Sequence, residues 1–220
     1  MNFFLRVPLN TYLEQRARLI ALQAAFARVC NALAPTVQKT GVWNRVALHH
    51  LMYRSLRERF PEMGSQMVCN AIYAVSRTSR LLFQHASSPL NLSRLAGKPL
   101  PLLRFADSNP VYFDRHTLSL KGGQLSLYTL DGRMRFALAL QAGDEANFNE
   151  KKLKEIILAS RPDGVFELAF QFSDEVEEEA GAAPVAAELG AGTGTGTAAA
   201  AALGASPSMV PEYVMVEEVQ

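Results

Sequence analysis

The feature of the sequence that most constrains the fold is the stretch 109–172, where short alternating segments are separated by turn residues. We predict five strands there, at 111–120, 124–130, 133–140, 153–160 and 165–172. Gly122-Gly123 and Asp131-Gly132 supply the positive φ angles that two-residue hairpin turns need, and Pro162-Asp163-Gly164 marks a further turn. Large apolar residues then recur with the period of two of a half-buried strand, at Phe166, Leu168, Phe170 and Phe172. This pattern predicts a small antiparallel barrel over 109–173, closed by a sixth strand from elsewhere in the chain.

The N-terminal part predicts one strand followed by three amphipathic helices. Residues 2–7 alternate as a strand does, and we assign 1–10 to this element. A first helix, capped by Asn10 or Thr11, is expected to end before Pro35, a second ends at Pro61, and a third begins near Ser65. The residues expected to face inward are Leu19, Leu22, Phe26, Val29, Leu33, Val42, Val46, His49, Tyr53, Leu56, Phe60, Val68, Ile72, Val75 and Leu82. The helical unit spans 11–85, and 86–108, with its Pro, Ser and Asn residues, is a predicted linker to the barrel.

Charge divides the chain into two parts. Residues 1–173 hold all 22 Lys and Arg against 12 Asp and Glu, a net charge of +10, and residues 1–104 alone carry +11. A body this basic favours a polyanionic partner. Residues 174–220 hold nine acidic residues, no Lys or Arg, and long runs of Ala, Gly and Thr. We predict a disordered acidic tail over 174–220 that partly masks the basic surface, because it has too little apolar bulk to offset chain entropy.

Other chemistries find little support in the sequence. Cys30 and Cys69 lie 39 residues apart without a Cys-x-x-Cys pair, which indicates reduced thiols and not a zinc site. His49 and His50 are adjacent, so they point to different faces of a helix and form no metal pair. No Gly-x-Ser-x-Gly elbow and no Gly-rich phosphate loop between strand and helix occurs. With no secretory signal and no long apolar run before the tail, we expect no cofactor, no metal, no membrane association and a cytoplasmic location, the nucleoid being the alternative.

Two passages resemble the OrfB/TnpB family of transposon-encoded, RNA-guided nucleases, which are related to the type V CRISPR effectors. The passage VYFDRHTLSLKGGQLSLYTLDGRMRFAL, followed by KLKEIILASRPDGVFELAFQFS, is similar to the wedge-domain barrel of that family, which is of the oligonucleotide-binding kind. The passages FFLRVPLNTYLEQRARLIALQAAF and LHHLMYRSLRERFPEMGSQMVCNAIYAV are similar to its first barrel strand and its N-terminal helical recognition region. The resemblance covers residues 2–173 and implies binding of a structured guide RNA and of the duplex motif that flanks the target.

The resemblance stops before the nuclease half of the family. There, the last barrel strand leads into a strand whose aspartate begins a carboxylate set for two metal ions, and a four-cysteine zinc module follows. Here the chain continues as SDEVE into low complexity, so Asp174 matches by position alone and the later carboxylates and cysteines have no counterpart. We therefore expect no catalysis by this chain alone.

The predicted architecture is α+β: a basic three-helix unit, a small antiparallel wedge-like barrel and a disordered acidic tail. Arginine suits phosphate because its planar fork can bind two oxygens, and aromatic rings beside cations suit bases. The candidate nucleic-acid-binding residues are Arg45, Arg54, Arg57, Arg59, Arg77, Arg80, Arg115, Lys121, Tyr128, Arg133 and Arg135. The leading function is nucleic-acid binding without catalysis, on guide-like RNA or duplex DNA. The alternatives are the binding subunit of a split nuclease encoded separately, a decayed transposon fragment, and a protein-interaction adaptor.

Overall fold

The protein combines helices with antiparallel sheets, an α+β fold. A computed structural model describes residues 2–138, 140–173 and 210–217. The helices are α1 (Leu13–Thr40), α2 (Arg45–Arg59), α3 (Ser65–Gln84), α4 (Leu92–Leu95) and α5 (Ala142–Glu150). The strands are β1 (Asn2–Pro8), β2 (Leu102–Phe105), β3 (Val111–Phe113), β4 (Leu118–Lys121), β5 (Gln124–Thr129), β6 (Gly132–Ala137), β7 (Lys152–Ser160), β8 (Phe166–Ser173) and β9 (Val214–Glu217).

The described strands form three sheets, with the orders β1-β8-β7-β3, β4-β5-β6 and β2-β9. β8 is an inner strand of the largest sheet, and β1 pairs along its whole length from Asn2–Ser173 to Pro8–Glu167. The first strand therefore joins the last strands, as expected of a partner from elsewhere in the chain. The predicted alternation at Phe166, Leu168, Phe170 and Phe172 is confirmed, since all four are buried. Ala169, Gln171 and Ser173 on the opposite face are buried as well, because neighbours cover both faces of this inner strand.

The hairpin turns agree with the sequence in two places and differ in two. Gly122 and Gly123 connect β4 to β5 with φ angles of 54° and 70°, as a two-residue turn requires. At 162–164 the turn closes with Arg161 and Val165 hydrogen-bonded. The β5–β6 turn consists of Leu130 and Asp131, not Asp131 and Gly132, because Thr129 pairs with Gly132. The strand predicted over 111–120 is interrupted, since residues 114–117 form a turn between β3 and β4.

The helix α1 is the central element of the fold. It continues through Pro35 to Thr40, which corrects the predicted end before that proline, and Gly41 ends it with a φ of 65°. It begins after Tyr12 and not after Asn10 or Thr11, because the side chain of Gln15 accepts a hydrogen bond from the Tyr12 N–H. Among the described residues it is the one helix long and apolar enough to cross a membrane. More than half of its most apolar stretch is buried inside the fold, so packing in the core accounts for that composition.

The other two predicted helices are present with different inner faces. In α3, Val68, Ile72, Val75 and Leu82 are buried as predicted. In α2, only Leu48 and Leu56 are buried; Val46 is exposed, and His49 and Tyr53 are half-buried. The reason is that α2 lies on the outside of α3, where a narrow stripe is enough for contact.

Three segments predicted as irregular contain regular structure. The predicted linker 86–108 includes α4 and β2, and the loose segment after β6 forms α5, whose Phe148 packs edge-on against Phe170 and Phe172. The predicted disorder over 174–220 is wrong for residues 210–217, because β9 pairs with β2 from Leu102–Glu217 to Phe105–Val214. The prediction for 174–209 lies outside the described residues.

The described elements share one hydrophobic core, to which α1, α3 and all three sheets contribute. β2 is fixed within it from both sides. The side-chain amide of Asn31 on α1 binds both the N–H and the C=O of Phe105, at 2.8 Å each, while Ala106 donates to Tyr213 at the start of β9. The C-terminal segment is thus attached to the N-terminal helix through β2.

Candidate nucleic-acid interface

Three of the candidate arginines, Arg45, Arg54 and Arg59, lie exposed on α2. The side chain of Arg54 is 94% exposed and pairs with Glu58 one turn later, at 3.2 Å. The guanidinium of Arg45 lies 5.3 Å from the ring centre of Tyr73, and that of Arg59 lies 5.4 Å from the ring of Phe60. Since exposed ion pairs and cation–π contacts are each worth about 1 kcal/mol or less, these groups remain available to a phosphate.

Four further candidate cations are exposed and bind no described side chain or backbone group: Arg80, Arg115, Lys121 and Arg135. Arg80 lies on α3, Arg115 on the β3–β4 turn, Lys121 at the end of β4 and Arg135 on β6. Long, hydrated side chains of this kind contact phosphates without disturbing the fold.

Arg57 and Arg133 are cations that also hold local structure. Arg57 donates from Nη1 to the carbonyl of Met63 and so fastens the turn between α2 and α3. Arg133 on β6 donates to the carbonyl of Ser126 on β5, at 3.2 Å, and to that of His116 beyond β4, at 2.8 Å. Arg133 is nevertheless exposed, so its outer face can meet a ligand.

Arg77 is turned into the protein, and this removes it from the candidate surface. Its Nε lies 2.9 Å from Oε1 of Glu155 on β7, and the two side chains are 19% and 10% exposed. The hydroxyl of Tyr73 donates to the same carboxylate oxygen, and the guanidinium lies 6.0 Å from the ring centre of Tyr112. Taking such a charge out of water is costly, so the arrangement is stable only while both partners are present.

The tyrosines around Arg77 connect this pair to the C-terminal segment. Burial raises the pKa of Tyr73, and the negative charge of Glu155 adds to that rise. Burial likewise raises the pKa of Tyr112 and that of Tyr213, whose hydroxyl also interacts with Thr78 on α3. The hydroxyl of Tyr112 lies near that of Tyr213 without the geometry of a hydrogen bond. Three phenols thus remain protonated inside the fold.

The α2–α3 turn meets the β3–β4 turn, and this brings helical and hairpin cations together. The carboxylate of Asp114 accepts hydrogen bonds from the Gln66 side chain and from the backbone N–H groups of His116 and Thr117. Asp114 therefore organises the turn and presents Arg115 and His116 outward. Burial raises the pKa of Cys69 on α3, and the charges of Arg45, Asp114 and Arg57 act on the same thiol.

Tyr128 belongs to this junction and not to the open surface. It is half-buried on β5, and a Cβ added at Gly64 would lie 3.2 Å from its ring. A larger residue at position 64 would have to displace the ring. The side chain therefore packs the α2–α3 turn onto the hairpin sheet, and its availability for base stacking is limited to the exposed part.

An open cleft of about 470 Å³ lies beside this junction and was missed by the sequence prediction. We call it the β3–β7 cleft. Gln66, Phe113 and the turn residues 114–116 line one side, and Leu153, Lys154 and Ile156 of β7 line the other. Alternation in β7 predicts its exposed and buried positions, but the cleft depends on β3 pairing with β7, which brings residues some forty positions apart together.

Metal and nucleophile chemistry has little basis in the described part of the chain. No three His, Cys, Asp or Glu side chains lie together there in a way that would hold a metal ion. Burial raises the pKa of Cys30 far above its usual value, so the thiol stays protonated. His49 stacks on Tyr53, at 4.5 Å between ring centres, and His50 is exposed. Asp174, the residue matched by position to the nuclease family, lies outside the described residues.

Comparison with known proteins assigns no family to the chain. No protein-family model matches it, and no curated protein matches it. What the site can do is therefore inferred from the geometry and charge of the residues described above.

Proposed function

We propose that this chain is a nucleic-acid-binding protein that acts without catalysis of its own. The observation that carries the proposal is the set of exposed, unpaired cations on α3 and the hairpins, Arg80, Arg115, Lys121 and Arg135, which lie on a body of net charge +10. Arg45, Arg54 and Arg59 extend this set along α2. Neutralising phosphates releases condensed counterions, which favours binding to any nucleic acid at low salt.

The proposal includes a relation to the wedge and recognition parts of the TnpB-like proteins. The four-stranded and three-stranded sheets would correspond to a wedge-like barrel of the oligonucleotide-binding kind, and α1–α3 to the helical recognition unit. The ligands would be a guide-like RNA and the duplex beside its target. Pairing of β1 with β8 supports this correspondence, since the family resemblance implies a first strand that returns to the barrel.

The test is the salt dependence of binding. The affinities of wild type for a hairpin RNA and a duplex DNA are measured between about 50 and 200 mM salt, where phosphate contacts change affinity strongly. Arg54→Ala combined with Arg59→Ala should reduce the slope of log affinity against log salt by roughly 0.7–0.9 for each phosphate that the variant no longer neutralises. Both positions are exposed, so the melting temperature should stay nearly unchanged.

Arg57→Ala is the matched control on the same helix. It removes the bond to the Met63 carbonyl, so it should lower the melting temperature as well as any binding. If the exposed pair changes stability and leaves the salt slope intact, the arginines serve the fold and the proposal is wrong.

The non-catalytic part is tested separately. The full chain is incubated with Mg²⁺, co-purified RNA and single- or double-stranded DNA, and we expect no cleavage. Metal-dependent cleavage that Asp174→Ala abolishes would give the positionally matched aspartate a catalytic role, and cleavage that survives the change would place an active site elsewhere. Either result would overturn the non-catalytic assignment.

A further inference from the structure

The β3–β7 cleft differs from the rest of the cationic surface in having an apolar floor. Phe113 and Ile156 are 5% and 2% exposed and form its base, and the half-exposed Leu153 stands at its mouth. A volume of about 470 Å³ is within the range of pockets that hold small organic ligands. A phosphate alone gains nothing from such walls, whereas a planar base does.

The rim of the same cleft is basic. Arg115 is exposed and binds no described group, and Lys154 stands opposite on β7. The acid at the rim, Asp114, directs its carboxylate to Gln66, His116 and Thr117 and is therefore engaged within its own turn. The charge that faces a ligand is consequently positive, which fits a phosphate next to the apolar floor.

We propose that the β3–β7 cleft holds one unpaired nucleotide of a single-stranded nucleic acid, with its base on Phe113, Ile156 and Leu153 and a flanking phosphate between Arg115 and Lys154. The inference rests on the proposed function and names the form of ligand that this site selects. A duplex keeps its bases stacked inside, so it can reach the rim and not the floor. An unpaired base offers its face to any apolar platform, independently of its identity.

The experiment compares three fluorescent probes on the full-length chain: a short oligodeoxythymidine, the same strand with abasic sugars in place of every nucleotide, and a blunt duplex. The first two carry the same phosphates and differ in the bases alone. We expect the base-bearing strand to bind roughly tenfold more tightly than the abasic strand, from contact with an apolar platform. A parallel oligouridine probe reports whether RNA or DNA is preferred.

Two variants with the same chemical change locate the effect. Leu153→Glu puts a carboxylate at the mouth of the cleft, and Leu92→Glu puts one on α4, at a leucine of similar exposure (37% and 47%). Leu153→Glu should abolish the tenfold preference for bases and leave duplex affinity within about twofold, because it blocks the floor and not the remaining cations. Leu92→Glu should keep the preference.

The outcomes separate the two proposals. Equal wild-type affinity for the base-bearing and abasic strands overturns the nucleotide site while general phosphate binding stands, and this comparison requires no variant to fold. Equal loss of preference in both leucine variants overturns the location in the cleft. A wild-type chain that binds none of the probes at low salt overturns the proposed function together with this inference.

Discussion

Replacing Arg77 and Arg80 one at a time should separate structural arginines from ligand-binding ones on a single helix. The two residues lie three positions apart on α3, yet Arg77 is paired with Glu155 inside the fold and Arg80 is exposed. Arg77→Met would leave the Glu155 carboxylate with Tyr73 as its hydrogen-bond donor, and its other oxygen, Oε2, already has no partner among the described residues.

The size of the effect follows from the burial of the pair. Breaking a buried ion pair costs about 3–5 kcal/mol, and we take about 3 kcal/mol because the Arg77 side chain is still 19% exposed. For a chain of this size, that loss corresponds to a melting temperature about 6–12 °C lower. Arg80→Met should change the free energy of unfolding by about 0.5 kcal/mol or less, as exposed substitutions do.

The assay is thermal unfolding together with the salt slope of DNA binding on the same two variants. We expect Arg77→Met to lower the melting temperature and keep the slope, and Arg80→Met to keep the melting temperature and reduce the slope by roughly 0.7–0.9. The double change Arg77→Met with Glu155→Leu should recover much of the stability, because it removes both buried charges. If Arg77→Met leaves the melting temperature unchanged and reduces the slope, Arg77 belongs to the binding surface and the reasoning is refuted.

Two further predictions concern the interior tyrosines and the C-terminal strand. Because burial raises the folded-state pKa of Tyr73, Tyr112 and Tyr213, the stability gained by keeping them protonated is complete below about pH 10 and declines above it, by about 1.4 kcal/mol per pH unit for each phenol. Urea midpoints between about pH 8 and 11 should therefore fall less steeply in Tyr73→Phe than in wild type, and parallel curves would contradict this. Val214→Asp should detach β9 and cost about 1.5–3 kcal/mol, because Val214 is 5% exposed. Met215→Asp, at a position 59% exposed on the same strand, is the control; equal urea midpoints for the two variants would mean that β9 adds no stability.

Local sequence was sufficient for the elements whose geometry is fixed within a few residues. Gly122 and Gly123 adopt the positive φ angles that their lack of a side chain permits, and the period of two in β8 places its large apolar residues inside. The apolar stripe of α3 was predicted for the same reason, since helical periodicity alone puts Val68, Ile72 and Val75 on one face. The sequence also indicated the basic body, because net charge depends on composition and not on folding.

Tertiary structure decided what depends on partners distant in the chain. Pro35 stays inside α1 because the packed core holds the helix on both sides of it, which outweighs one missing backbone hydrogen bond. The segment 210–217 forms a strand because the edge of β2 offers unpaired backbone groups and a site for Val214, whereas its own composition gave no such signal. Arg77 faces inward while Arg80 faces solvent because Glu155, 78 residues from Arg77 in the sequence, lies on the strand behind α3. Charge pattern along a helix cannot distinguish these two arginines, since the energy of a buried cation depends on whether the fold brings a carboxylate to meet it.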